Sequence, residues 1–135
     1  MALHLDLKIE GVCRGDWRGA AGEEIPDRYR KFLTQYSSDQ DYVTSRNVDE
    51  GHATLVLFDT PIGEYESYAK RVSRGLGKIT ILCSMHEALR WNKNQYADIR
   101  YKLRAVRIVT VVGPTMAERP DIYPKICAFF RFLLG

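Results

Sequence analysis

The alternation in Leu3-His4-Leu5-Asp6-Leu7-Lys8-Ile9-Glu10-Gly11 restricts what this chain can fold into more than any other stretch. Leu3, Leu5, Leu7 and Ile9 share one side of an extended chain, and His4, Asp6, Lys8 and Glu10 share the other. Period-two patterning means a strand with one wet face and one covered face. Such a strand needs a sheet to join and an apolar layer over its inner side. The chain has 135 residues, enough for one domain with a real core.

The rest of the chain reads as alternating elements. Val12 to Gly22 is rich in Gly and Arg and reads as a loop. A helix is expected next, because Ile25, Tyr29, Phe32, Leu33 and Tyr36 fall on one stripe and Pro26 and Asp27 suit a first turn. Tyr42 to Val48 and Ala53 to Phe58 read as a hairpin turned at Asp49-Glu50-Gly51. The run Leu55-Val56-Leu57-Phe58 points to burial on both faces of the second strand.

Asp59-Thr60-Pro61 announces a second helix, with Asp59 or Thr60 as its cap. Its expected stripe is Ile62, Tyr65, Tyr68, Ala69, Val72 and Leu76, and Gly75 and Gly77 stop it. Lys78 to His86 returns to period two. Tyr96 to Val112 reads as one long strand, with Arg100, Lys102 and Arg104 on one face and Ile99, Tyr101, Leu103 and Ala105 on the other. Pro124 opens a very apolar closing helix.

The expected order is therefore β-α-β-β-α-β-β-α. That is an α+β class, a single domain over 1–135, with a mainly antiparallel sheet and helices packed on one face. Residues 114–135 form a C-terminal extension ending in the apolar helix.

Composition narrows the function classes. With 45% hydrophobic and 27% charged residues, the chain is neither disordered nor a disulfide scaffold. A net charge of +3 is too small to imply a nucleic-acid partner by itself. Cys13, Cys83 and Cys127 are odd in number and far apart, which favours free thiols in a reducing compartment. No charged-then-apolar leader and no apolar run near the roughly 20 residues of a membrane span is present, so an intracellular protein is expected.

No constellation of residues announces catalysis, a metal or a cofactor. Cys83 and His86 are half a zinc site at most, since no second pair completes a tetrahedron. Arg74-Gly75-Leu76-Gly77-Lys78 has the look of a phosphate loop, but it follows a helix C-terminus, where the dipole repels anions. A glycine stop is the better reading. The expectation is a protein that is not an enzyme.

Two surfaces invite partners. Arg100, Lys102 and Arg104, extended by Arg107, offer a basic face for an acidic partner, the basis of an alternative reading as a ferredoxin-like nucleic-acid-binding module. The plainer reading of that face is a solvated or charge-guarded edge strand. The closing helix carries Ile126, Phe129, Phe130, Leu133 and Leu134, which cannot all stay in water. They either pack on the chain's own sheet, which the architecture favours, or join with Val109 and Val111 in self-association.

The opening strand also carries a resemblance. Leu5-Asp6-Leu7-Lys8-Ile9-Glu10-Gly11 is similar to the start of the third-open-reading-frame product of adenovirus early region 4, a Leu-x-Leu-Lys-Val-Glu-Gly strand at the same distance from Met. Ile25 to Leu33, Gly51 to Asp59 and Ile81-Leu82-Cys83-Ser84-Met85 follow the family in order. Ile79 stands where the family has Asn, and the chain runs about twenty residues past the family's end. The resemblance implies a non-enzymatic viral early protein in the host nucleus. It would form dimers or larger assemblies, capture host nuclear proteins and reorganise nuclear bodies, using multivalency in place of strong single contacts.

Overall fold

A computed structural model describes residues 11–18, 24–37, 39–59, 61–114 and 121–134. The alternating stretch from Leu3 to Glu10 lies outside the described residues; Gly11 begins the first described strand. Two compact units meet in sequence at Glu50 and Gly51, and each is described by itself.

In the first unit, β1 (Gly11–Arg14) pairs in parallel with β2 (Leu33–Ser37). The stretch expected to be a loop thus contains a strand. The expected helix from Ile25 shrinks to α1 (Asp27–Arg30), and its second half becomes β2. A longer helix, α2 (Gln40–Glu50), replaces the first strand of the expected hairpin. Val43, Thr44 and Val48 are its buried residues, a spacing of one and four that suits a helix. The Asp39 carboxylate accepts from the Asp41 backbone N–H at 2.8 Å and starts it.

The second unit is a parallel three-layer structure. Strand β3 (Ala53–Phe58) lies between β4 (Ile79–Ser84) and β5 (Val109–Val112), parallel to both. The mainly antiparallel α+β sheet with helices on one face is therefore wrong. The protein is α/β and Rossmann-like, with helices on both faces of its sheet. The physical reason is the connection. Helix α3 (Glu64–Gly75) joins β3 to β4, and a crossover helix returns the chain to the same end of the sheet. A central parallel strand is covered twice, which is why Leu55, Val56 and Leu57 are all buried.

The two faces differ in chemistry. Leu55, Leu57, Ile81 and Cys83 face a core completed by Met85 and Ala88 of α4 (Met85–Ala88), Tyr96 and Ile99 of α5 (Lys93–Lys102), and Ile122, Phe129 and Leu133 of α6 (Ile122–Leu134). Thr54 and Thr80 lie on the opposite face, toward α3. There α3 turns in Glu66, Ala69 and Ser73; of the stripe expected from hydropathy only Ala69 is fully buried, and Leu76 is left exposed. Small and polar residues let the helix approach closely, and the Ser73 and Thr80 hydroxyls bond at 2.6 Å. Gly77, at φ 71°, closes α3 in the left-handed region, as the glycine-stop reading expects.

The long strand expected over Tyr96–Val112 is mostly helix. Asn92 caps α5, its side chain accepting from the Asn94 and Gln95 backbone N–H at 3.0 and 3.2 Å, while the Gln95 side-chain Oε1 accepts from the Asn92 N–H at 2.9 Å. Asn92→Ala is expected to cost about 1 kcal/mol, read from a urea midpoint. No loss would mean that tertiary packing alone holds the start of α5.

Candidate functional site: a recess at the strand ends

The order β4-β3-β5 reverses direction at β3, since the chain passes from β3 to one neighbour and later returns to the other side. In open parallel sheets such a switch parts the loops beyond the carboxyl ends and leaves a crevice. The recess here has a volume of about 370 Å³. Phe58 and Asp59 at the end of β3 form one wall, Pro61, Ile62 and Gly63 the rim, and Glu66 of α3 and Pro114 after β5 the remainder.

Local chemistry explains how the loop is held. Gly63, not Asp59 or Thr60, is the N-cap of α3, and it offers no side-chain cap. Glu66, at the third helical position, is buried to 1% exposure, and a Cβ on Gly63 would strike its carboxylate. A side chain at Gly63 would have to displace the carboxylate, which folds back over its own helix start. The dipole favours negative charge at that end. The place where a helix N-terminus usually receives an anion is thus occupied by the chain's own Glu66.

Asp59 is tied to α6. Lys125 Nζ lies 3.3 Å from the Asp59 carboxylate and 3.2 Å from that of Asp121. Hydrogen bonds to Asp121 and then Asp59 push the ammonium above its ordinary range, so Lys125 stays charged. On the neighbouring strand end, Ser84 pairs in register with Phe58, is nine-tenths buried, and its hydroxyl has no hydrogen-bond partner among the described residues.

The residues singled out from sequence scatter. Arg100 donates to the Leu133 and Phe132 carbonyls at 2.9 and 3.3 Å and so caps α6. Lys102 pairs with Asp98 at 3.0 Å. Arg104 lies 3.7 Å over the Tyr101 ring. Arg107 is exposed beyond the helix. These four share no strand face, because only Val109–Val112 of that stretch is strand.

In the apolar set, Phe129 and Leu133 are buried in the chain's own core, Ile126, Phe130 and Val109 pack against it, and Leu134 and Val111 are about half exposed. Cys83 is fully buried while His86 is exposed on α4, so the two do not meet. The recess residues Asp59, Gly63 and Glu66, and Lys125 that holds Asp59, went unread as a site. Their signal was an apolar strand ending in Asp, then Pro and Gly before a helix: the joint of a βα unit.

The fold defines a parallel α/β, Rossmann-like protein with a recess beyond its strand ends. Residues 1–134 match the circularly permutated YpsA SLOG family, and the chain belongs to that family. A comparison with curated proteins returns no match. A solved structure with the same fold is a candidate molybdenum carrier protein from Syntrophus aciditrophicus, with a TM-score of 0.84 at 17% identity, covering 99% of this chain and 84% of that one.

These findings overturn the resemblance to the adenovirus early region 4 product, and with it the viral early protein reading and its nuclear-body activity. The shared Leu-x-Leu-Lys-x-Glu-Gly wording is what any half-buried strand uses, so it carries little family information. The expectation of a nuclear location rested on that resemblance. The nucleic-acid-binding alternative also finds no support, since its basic strand face does not exist. Among the described residues, no helix is long and apolar enough to cross a membrane.

Proposed function

We propose that this protein binds a small organic molecule in the recess at the carboxyl ends of β3 and β5, and that it binds without catalysing a reaction. The observation that carries the reading is the recess itself, placed at the strand-order switch and lined by both apolar and carboxylate groups. Phe58, Ile62 and Pro114 suit an apolar body, and the Asp59 carboxylate suits a hydrogen-bond donor on it. No nucleophile stands beside a free base among these residues: Asp59 is held by Lys125, and Cys83 faces the opposite side of the sheet.

A molybdenum oxyanion does not fit this lining. The Asp59 carboxylate lines the recess, and the start of α3 is already covered by Glu66. Among the described residues, no group of three His, Cys, Asp or Glu side chains could hold a metal ion. The fold is shared with the Syntrophus protein; the donor set here favours a neutral or cationic guest.

The test is amide chemical-shift mapping with adenosine, tyramine and sodium molybdate as probes. Adenosine or tyramine should shift residues 58–66 and leave 93–102 unmoved, and Gly63→Leu should abolish the effect. Shifts of 58–66 by molybdate alone, or binding that Gly63→Leu leaves intact, would overturn the assignment.

A further inference from the structure

The polar end of the recess is half of an ion pair. Asp59 lines the recess, its side chain only 18% exposed, and Lys125 of α6 reaches its Oδ2 at 3.3 Å from outside the lining. A guest that meets the Asp59 carboxylate therefore also meets the charge behind it, which the lining alone does not show.

The carboxylates near that ammonium do not count equally. Asp121 lies 3.2 Å from Lys125, but its side chain is 69% exposed, so water and salt screen most of its charge. Glu66 is folded over the start of α3, where the positive end of the helix dipole offsets it. Asp59 is the partner shielded from water, and its charge is the one that Lys125 cancels. A carboxylate cancelled in this way still accepts hydrogen bonds, yet it no longer draws in a second cation. An ammonium brought to Asp59 would stand beside the Lys125 ammonium in partly desolvated surroundings, where like charges repel more strongly than in water.

We infer that Lys125 sets the specificity of the recess: by neutralising Asp59 it selects an uncharged hydrogen-bond donor, an alcohol or an amide, over an ammonium of the same shape. The inference rests on the recess being the binding site, and it narrows the guest from neutral or cationic to neutral. Lys125 acts through Asp59 and is a positioning residue that the guest itself need not touch. Discrimination here comes from a repulsive element, the second cation, and not from an added contact.

Tyrosol and tyramine test this, since they share a phenol and a short arm and differ in ending in a hydroxyl or an ammonium. Their affinities are read on the full chain from amide shifts of residues 58–66. Wild type should bind tyrosol more tightly than tyramine. Lys125→Met should move the affinity ratio toward tyramine by about tenfold or more, and Lys125→Arg should keep the wild-type preference. Lys125→Gln serves if methionine disturbs α6. A merely structural tie would weaken both guests alike and leave their ratio unmoved. A wild type that prefers tyramine, or a ratio unchanged in Lys125→Met and Lys125→Gln while both guests still shift 58–66, would overturn this inference and leave the recess reading standing. Failure of either guest to shift 58–66 in any of these proteins would remove the recess reading together with it.

Discussion

Phe129→Ala is expected to lower the unfolding free energy by about 3–5 kcal/mol, a large part of what a small domain has. Phe129 is fully buried, its ring centroid lying 5.4 Å from that of Phe130, 5.9 Å from Tyr96 and 6.3 Å from Trp91. Truncation removes the transfer energy of a phenyl ring and leaves a hole among rings that cannot all close upon it. Phe132, three residues on and 58% exposed, is the control, and Phe132→Ala should cost well under half as much by the same area argument. Urea midpoints at constant slope give both values. Equal small losses would mean that α6 is not part of the core.

The second large effect concerns Cys83. Burial pushes its thiol from the ordinary 9.0 up to about 12, against a smaller opposite pull from the Lys102 ammonium. Native Cys83 should therefore react with a thiol reagent at pH 8 about a thousandfold more slowly than an ordinary cysteine, from thiolate population alone. Half-buried Cys127 should label first of the two.

The same shift acts on stability. Below pH 9 the thiol is protonated in both folded and unfolded chains, and the term is silent. Between 9 and 12 the unfolded chain ionises while the folded one does not, so the group removes up to about 1.4 kcal/mol per pH unit. The stability difference between the wild type and Cys83→Ala should narrow steadily above pH 9. A difference constant to pH 11 would show that the Cys83 thiolate is tolerated inside the fold. Tyr96, raised by burial and then by Cys83, contributes with the same sign, and its hydroxyl donates to the Ala88 carbonyl at 2.6 Å.

Two strands of the central sheet were legible as strands. Ala53–Phe58 and Ile79–Ser84 carry enough branched and apolar residues to be recognised. Their partners were not. Leu55-Val56-Leu57 said that both faces were covered, which belongs to a parallel sheet, yet a three-residue turn beside it suggested a hairpin. Helix α5 misled because Ile99, Tyr101, Leu103 and Ala105 alternate with Arg100, Lys102 and Arg104. Read at three and four, with Asn92 and Gln95 as a capping box, Tyr96, Ile99 and Leu103 specify a helix.

The candidate site was least legible of all. Asp59 and Lys125 are 66 positions apart in sequence, and each alone is an ordinary surface charge. What the sequence alone determined was local: the glycine that ends α3, the buried central strand and the apolar face of α6. These depend on propensity, periodicity and hydrophobicity, which act over a few residues. Strand order, parallel direction and the recess at the switch were decided only in three dimensions. They depend on which distant segments bury each other's surface, and no short window of residues contains that sum.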